Sequence, residues 1–168
     1  MQQSPPVHGL KRNAVLCLLA HRGDELMLHR AREPNRGLWV PVGGKLEPFE
    51  SPRAAAIREL REEAGIAVPE VRLLGTLVET SPTAYNWWTA VYHAELPHDG
   101  PRPALAWCAE GELRWVPGHQ LLELPMPPTD RHIYACRDER RPFMLSAEYD
   151  EALALLRLDE ELSGTRLQ

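Results

Sequence analysis

The stretch GGKLEPFESPRAAAIRELREEAGI, residues 43–66, sets Glu59, Glu62 and Glu63 within five residues of one another, between a Gly-Gly pair and a further glycine. Ser51 suits an N-cap, Pro52 a first helical position and Gly65 a helix stop, so the segment reads as a helix over 52–64. With Glu59 as zero and about 100° per residue, Glu63 falls near 40° and Glu62 near −60°. Leu60, Ala64 and Ile57 fall between about 100° and 160° on the same wheel. One side is apolar and meant for a core; the other gathers three carboxylates that repel one another. Arg53, Arg58 and Arg61 could lace such a face as an ordinary solvated helix surface. A hard divalent cation, Mg²⁺ or Mn²⁺, removes the repulsion as well, and binds phosphate oxygens at the same time.

The remaining sequence narrows the setting. A chain of 168 residues is long enough to bury a core and reads as a single domain over 1–168, with residues 1–11 as a flexible N-terminal segment. A formal charge of −5 argues against non-specific binding to nucleic acid or to an anionic membrane, while leaving room for a small phosphorylated ligand held through metal ions. Cys17, Cys108 and Cys136 are an odd set without CxxC spacing. Neither a disulfide framework nor a zinc site is expected, which suits a cytoplasmic protein. No stretch approaches the length of a membrane span. A homodimer is left open.

Strand signals fall at 13–20, 25–30, 38–42, 70–80, 86–96 and 112–117, with Pro34 and Gly37 breaking the polar loop AREPNRG. A helix is expected to start after the prolines of MPPTDRHIYACRDE. The closing SAEYDEALALLRLDEEL is amphipathic and reads as a C-terminal helix packed on the domain. Irregular alternation of strands and helices, with hairpins among them, gives a mixed α/β or α+β layered fold.

One spacing is specific. Gly44, Glu50, Arg58, Glu59, Leu60, Glu62, Glu63, Gly65 and Ile66 fill every fixed position of G-x5-E-x7-R-E-U-x-E-E-x-G-U, where U is aliphatic. This resembles the Nudix box, and the chain resembles a Nudix hydrolase. The resemblance implies an α/β/α sandwich around a mixed sheet with the box as a loop-helix-loop. It also implies Mg²⁺- or Mn²⁺-dependent hydrolysis of a nucleoside diphosphate linked to a further moiety. Glu59, Glu62 and Glu63, with the backbone carbonyl of Gly43, match the family's metal ligands; Gly44, Glu50, Arg58 and Gly65 match the residues that hold the box together. The general base is Glu59, Glu62 or a carboxylate from a later loop.

Outside the box, GLWVPVGGKLE, with Trp39 and Lys45, is similar to the matching segment of MutT-type enzymes, which hydrolyse oxidised purine nucleoside triphosphates such as 8-oxo-dGTP. Those enzymes carry a late metal-reaching acid ahead of a Trp. Glu110 and Glu112 both precede Trp115, and Glu110 has the better spacing. Asp130 stands where the human-type enzyme reads the base edge, or else is a helix N-cap. Trp87 and Trp88 point to opposite faces of a strand, and one of them is free to stack on a base. Val40 and Phe49 depart from the family pattern, at a purine-reading Asn and at a frequent Gly. The alternatives are ADP-ribose or dinucleoside polyphosphate hydrolysis, hinted at by Pro82 and Tyr85, or a non-catalytic nucleotide-binding domain, although no box glutamate is replaced.

Overall fold

The computed structural model describes residues 9–168. The flexible N-terminal segment expected over 1–11 therefore lies, for residues 1–8, outside the described residues. Lys11, at its end, is tied down by a 2.6 Å bond from Nζ to the Glu79 carbonyl.

The sheet is organised by strand β1 (Arg12–His21), whose run AVLCLLA is buried on both faces as a central strand requires. Its one edge is covered by β6 (Trp87–Glu95), in parallel register from Arg12↔Trp87 to Ala20↔Glu95. The other edge is divided. Residues 14–17 pair with β4 (Val42–Lys45), and residues 20–21 pair with β2 (Asp24–Arg30) through a two-residue hairpin. Arg22 and Gly23 both have positive φ there, the conformation whose twist matches flanking antiparallel strands. Strand β2 in turn carries β3 (Trp39–Val40) and β7 (Gly111–Pro117). Beyond β6 the sheet continues through β5 (Arg72–Thr80) to β8 (Phe143–Tyr149), β9 (Leu155–Glu160) and β10 (Thr165–Arg166).

Helix α1 (Pro52–Ala64) covers one face, packing Ala55, Ala56, Leu60 and Ala64 with Val15, Cys17, Leu19 and Tyr92. Helix α2 (Pro128–Asp138) covers the other, with Ile133 and Tyr134 among Leu18, Leu77, Val91 and Leu145. A 3₁₀ turn, Gly118–Glu123, leads towards α2. The result is the expected helix–sheet–helix sandwich around a mixed sheet. Among the described residues no helix is long and apolar enough to cross a membrane.

The expected C-terminal helix does not form. Its residues are the β8–β9 hairpin, with β8 added in parallel to β5. Phe143, Leu145 and Ala147 are buried in alternation, whereas Met144 and Glu148 face out. This period of two is masked by an Ala/Leu/Glu composition that favours helix in isolation; burial of one strand face against α2 outweighs the propensity. The turn is fixed by Asp150, whose Oδ1 accepts from the backbone N–H groups of Ala152 and Ala154, both at 2.8 Å.

Glu160 closes the same edge. Its buried carboxylate accepts from the N–H groups of Met144, Leu162 and Ser163 at 3.2, 3.1 and 2.9 Å. Burial alone would raise its pKa, but Ser163 and these backbone donors more than offset that and hold it down to about 2. An acid with a depressed folded pKa contributes stability above its ordinary value of 4.5 and loses it as pH falls towards 2. Glu160→Gln should therefore cost about 1–3 kcal/mol at neutral pH, with the deficit in melting temperature shrinking as pH is lowered from 5 to 2.

Candidate active site

Helix α1 has the bounds its sequence predicts. Ser51 Oγ accepts from the Ala54 N–H at 3.2 Å, Pro52 begins the helix, and Gly65 ends it in the left-handed region at φ 72°. The carboxylate side is less exposed than a two-faced helix suggests, because it lies against β4. Glu59 is only 8% exposed. That approach needs Gly44: a Cβ there would stand 2.2 Å from Glu59 Oε1.

Arg58 ties the helix to the loop ahead of it. Its Nε donates to Glu50 Oε1 at 2.8 Å and its Nη2 to Glu50 Oε2 at 2.9 Å and to the Lys45 carbonyl at 3.1 Å. Its Nη1 donates to Glu59 Oε1 at 2.8 Å and Glu62 Oε2 at 3.1 Å. The bidentate bond from Arg58 holds the Glu50 carboxyl below the usual range.

Glu63 has no such partner. Its Oε2 is buried and accepts no hydrogen bond. Burial first, then the charges of Glu110 and Glu59, push its pKa up to about 8, with the Gly43 N–H and Arg30 drawing it partly back. Glu110 thus faces the box, and its Oε2 is 2.8 Å from Arg30 Nη1. Glu112 is exposed and paired with Arg114 at 2.8 Å. Among the described residues no three His, Cys, Asp or Glu side chains stand in ligating geometry around one point; two of the box carboxylates are held by Arg58 instead. The donors themselves fit a hard divalent cation: they are all oxygens, and one is a buried carboxylate oxygen without a partner. Glu59, Glu62, Glu63 and Glu110, with the Gly43 carbonyl, could hold it.

A second group of polar side chains lies on the α2 side of the sheet. Register places Arg12, Trp87 and Glu79 in one row across β1, β6 and β5, and pairs Lys45 with Ala14 two residues along β1. Glu79 is buried, and its Oε1 accepts from Tyr85 Oη at 3.0 Å and Tyr149 Oη at 2.9 Å. Asp130 sits in the first turn of α2, not at its N-cap, which is Pro127 without a side-chain bond. Burial, then the nearby Glu79 charge, push Asp130 up to about 8 against a smaller opposing bond from Thr129. Asp130 is itself buried, and the rest of the predicted binding set is engaged by other side chains. Trp39 is buried, with His29 stacked on it at 4.8 Å and Arg114 over its ring at 5.0 Å. Trp87 carries the Arg12 guanidinium at 4.4 Å, while Trp88 packs against the α1 core. Val40 is buried with Leu28 and Cys108.

Arg30 and Glu79 escaped the sequence reading. Glu79 had a usable signal, since a period of two from the apolar Leu77 puts it on the buried face. Nothing in the spacing marks Arg30.

A glycine-bounded acidic helix locked by an internal arginine, beside a second acid from the turn ahead of β7, is the arrangement of a Nudix pyrophosphohydrolase. The comparisons agree. A model of the NUDIX domain matches residues 10–135. The Nudix hydrolase YvcI of Bacillus subtilis is 32% identical over 120 residues, covering 70% of this chain and 73% of that protein. The human diphosphoinositol polyphosphate phosphohydrolase 3-alpha is 39% identical over 82 residues, covering 48% of this chain and 49% of its own; the chain spans about half the length of that relative. The crystal structure of a MutT protein from Bacillus halodurans superposes with a TM-score of 0.74 at 26% identity, over 90% of this chain and 98% of that one. The chain belongs to the Nudix family and is a Nudix hydrolase.

Two outcomes follow from this geometry. The Arg58 and Glu50 side chains are only 15% and 13% exposed, and removing one partner of such a pair costs about 3–5 kcal/mol. Arg58→Ala should show that loss in chemical unfolding and lose turnover with it. Asp130 is an acid whose folded pKa is raised above its ordinary 3.8. Between about pH 4 and 8 the folded chain keeps a proton that the unfolded chain releases, so this group's contribution to stability falls across that window. Asp130→Asn should melt higher than the parent at pH 8, with the advantage shrinking towards pH 5.

Proposed function

We propose that the protein hydrolyses free nucleoside triphosphates to monophosphate and pyrophosphate, with Mg²⁺ or Mn²⁺, and that an oxidised purine such as that of 8-oxo-dGTP is its preferred base. The cytoplasm, where free thiols and nucleotides coexist, is the proposed setting. The observation that carries the substrate reading is buried Asp130 beside Glu79, since a carboxyl group kept protonated near neutrality offers a donor and an acceptor side by side. Guanine presents two acceptors on its O6 and N7 edge. Oxidation at C8 places a hydrogen on N7, turning that edge into an acceptor beside a donor, the complement of a neutral carboxyl. An ordinary guanine leaves the carboxyl oxygen unpaired, which costs about 1–3 kcal/mol, a preference of roughly ten- to a hundredfold. Val40, buried among apolar side chains, has no polar atom to add to this recognition.

The box side supplies the chemistry. Held by Glu59, Glu62, Glu63 and Glu110, a divalent ion would supply charge neutralisation at the phosphate oxygens and a more acidic water. Arg58 keeps Glu59 and Glu62 in place on α1, Lys45 is set to contact a phosphate, and one glutamate accepts the proton.

The test is a panel assayed with each metal: ordinary and oxidised purine triphosphates, ADP-ribose, dinucleoside polyphosphates and a diphosphoinositol polyphosphate. Oxidised purine triphosphates should give the highest kcat/KM. A hundredfold preference for any of the other classes would overturn the substrate reading. Excess chelator, Glu62→Gln and Glu63→Gln should each abolish turnover, and full activity in chelator would rule out the metal requirement.

A further inference from the structure

We propose that Phe49 forms a wall of a nucleoside subsite, stacking its ring on the base of the bound nucleotide at the mouth of a cleft shared with Lys45 and Arg12. The inference rests on the nucleotide reading above and adds a contact that the box pattern does not contain.

Phe49 stands at φ 67°, in the left-handed region that disfavours any residue with a Cβ. Its ring is fully exposed, so it returns no burial to offset that strain. The loop that displays it is nonetheless fixed. The Glu47 N–H donates to Glu50 Oε2 at 3.1 Å and the Glu50 N–H to the Glu47 carbonyl at 3.2 Å. Arg58 grips the Lys45 carbonyl and the Glu50 carboxylate on either side. A strained, solvent-facing aromatic on a rigid loop is poorly explained by the folded chain alone.

Its surroundings indicate the ligand. Phe49 lines a cleft of about 510 Å³ with Arg12, Lys45, Leu46 and Pro48, large enough for a nucleoside. Glu50, also on the wall, is neutralised by Arg58, and the exposed Glu47 carboxylate is outnumbered by Lys45 and Arg12, the two cations of the cleft. Arg12 connects the cleft to the Asp130 side. Its guanidinium lies on Trp87, and its Nη2 donates to the Ala84 carbonyl at 2.6 Å, next to the Tyr85 that donates to Glu79.

The test uses the full chain and calorimetric titration with two probes, the non-hydrolysable α,β-methylene analogue of 8-oxo-dGTP and inorganic triphosphate. Phe49→Gly should weaken binding of the analogue by roughly tenfold, the scale of one lost base–aromatic stack, and leave inorganic triphosphate unchanged. It should also raise the melting temperature by about 1–4 °C as the strain is relieved. Phe49→Trp should restore binding of the analogue. Equal binding of the analogue by parent and Phe49→Gly overturns the role of Phe49, as does a parallel loss of both probes. A parent that binds inorganic triphosphate but not the analogue overturns the nucleotide reading, and this inference with it.

Discussion

The guanidinium of Arg58 has five N–H groups and gives each of them an oxygen: two on Glu50, one on Lys45, one on Glu59 and one on Glu62. This one planar group sets the height of helix α1 above β4, the path of the loop ahead of it and the orientation of two acidic side chains. It also explains how like charges tolerate such closeness in a partly buried place, since a delocalised cation that cannot lose its proton sits among them. Glycine is the other half of the same constraint. The helix can come this near to the strand only because Gly44 has no side chain to meet Glu59.

Much of this was legible in the sequence because it is local. The bounds of α1, its cap and its stop follow from helix signals within about twenty residues, and the pairing of Glu50 with Arg58 followed from the resemblance to the Nudix box. The two early strands and their hairpin were equally plain from an apolar run, a glycine and a second run. Legibility failed where sequence-distant partners decide. The segment 146–162 has helix-forming composition and joins a hairpin because β5 offers an unpaired edge some seventy residues earlier. The link between Glu79, Tyr85 and Tyr149 joins β5, the loop ahead of β6 and β8, and the pairing of Arg30 with Glu110 crosses eighty residues. No periodicity encodes such meetings.

The two polar centres solve opposite electrostatic problems. Around Arg58 the charges are kept and compensated, and burial is tolerated because donors are plentiful. Around Asp130 the acid is surrounded by hydroxyls and a second acid, and the cheaper state is the neutral one. A carboxyl group therefore serves as an arginine-bound anion at Glu50 and as an uncharged hydrogen-bonding group at Asp130.

The divided edge of β1 separates these tasks further. Its first half is zipped to β4, which carries the Gly-Gly pair, and its last residues to β2, which carries the wing of β3 and β7. Two ladders leave one strand, yet only Pro41 separates β3 from β4, and Glu110 returns from the turn ahead of β7 to face Glu63, so the wing and the box are tied at two points. Lineages that rewrite the wing loops are thus held to lengths that bring Glu110 back to the box, a constraint carried by one turn without any domain boundary.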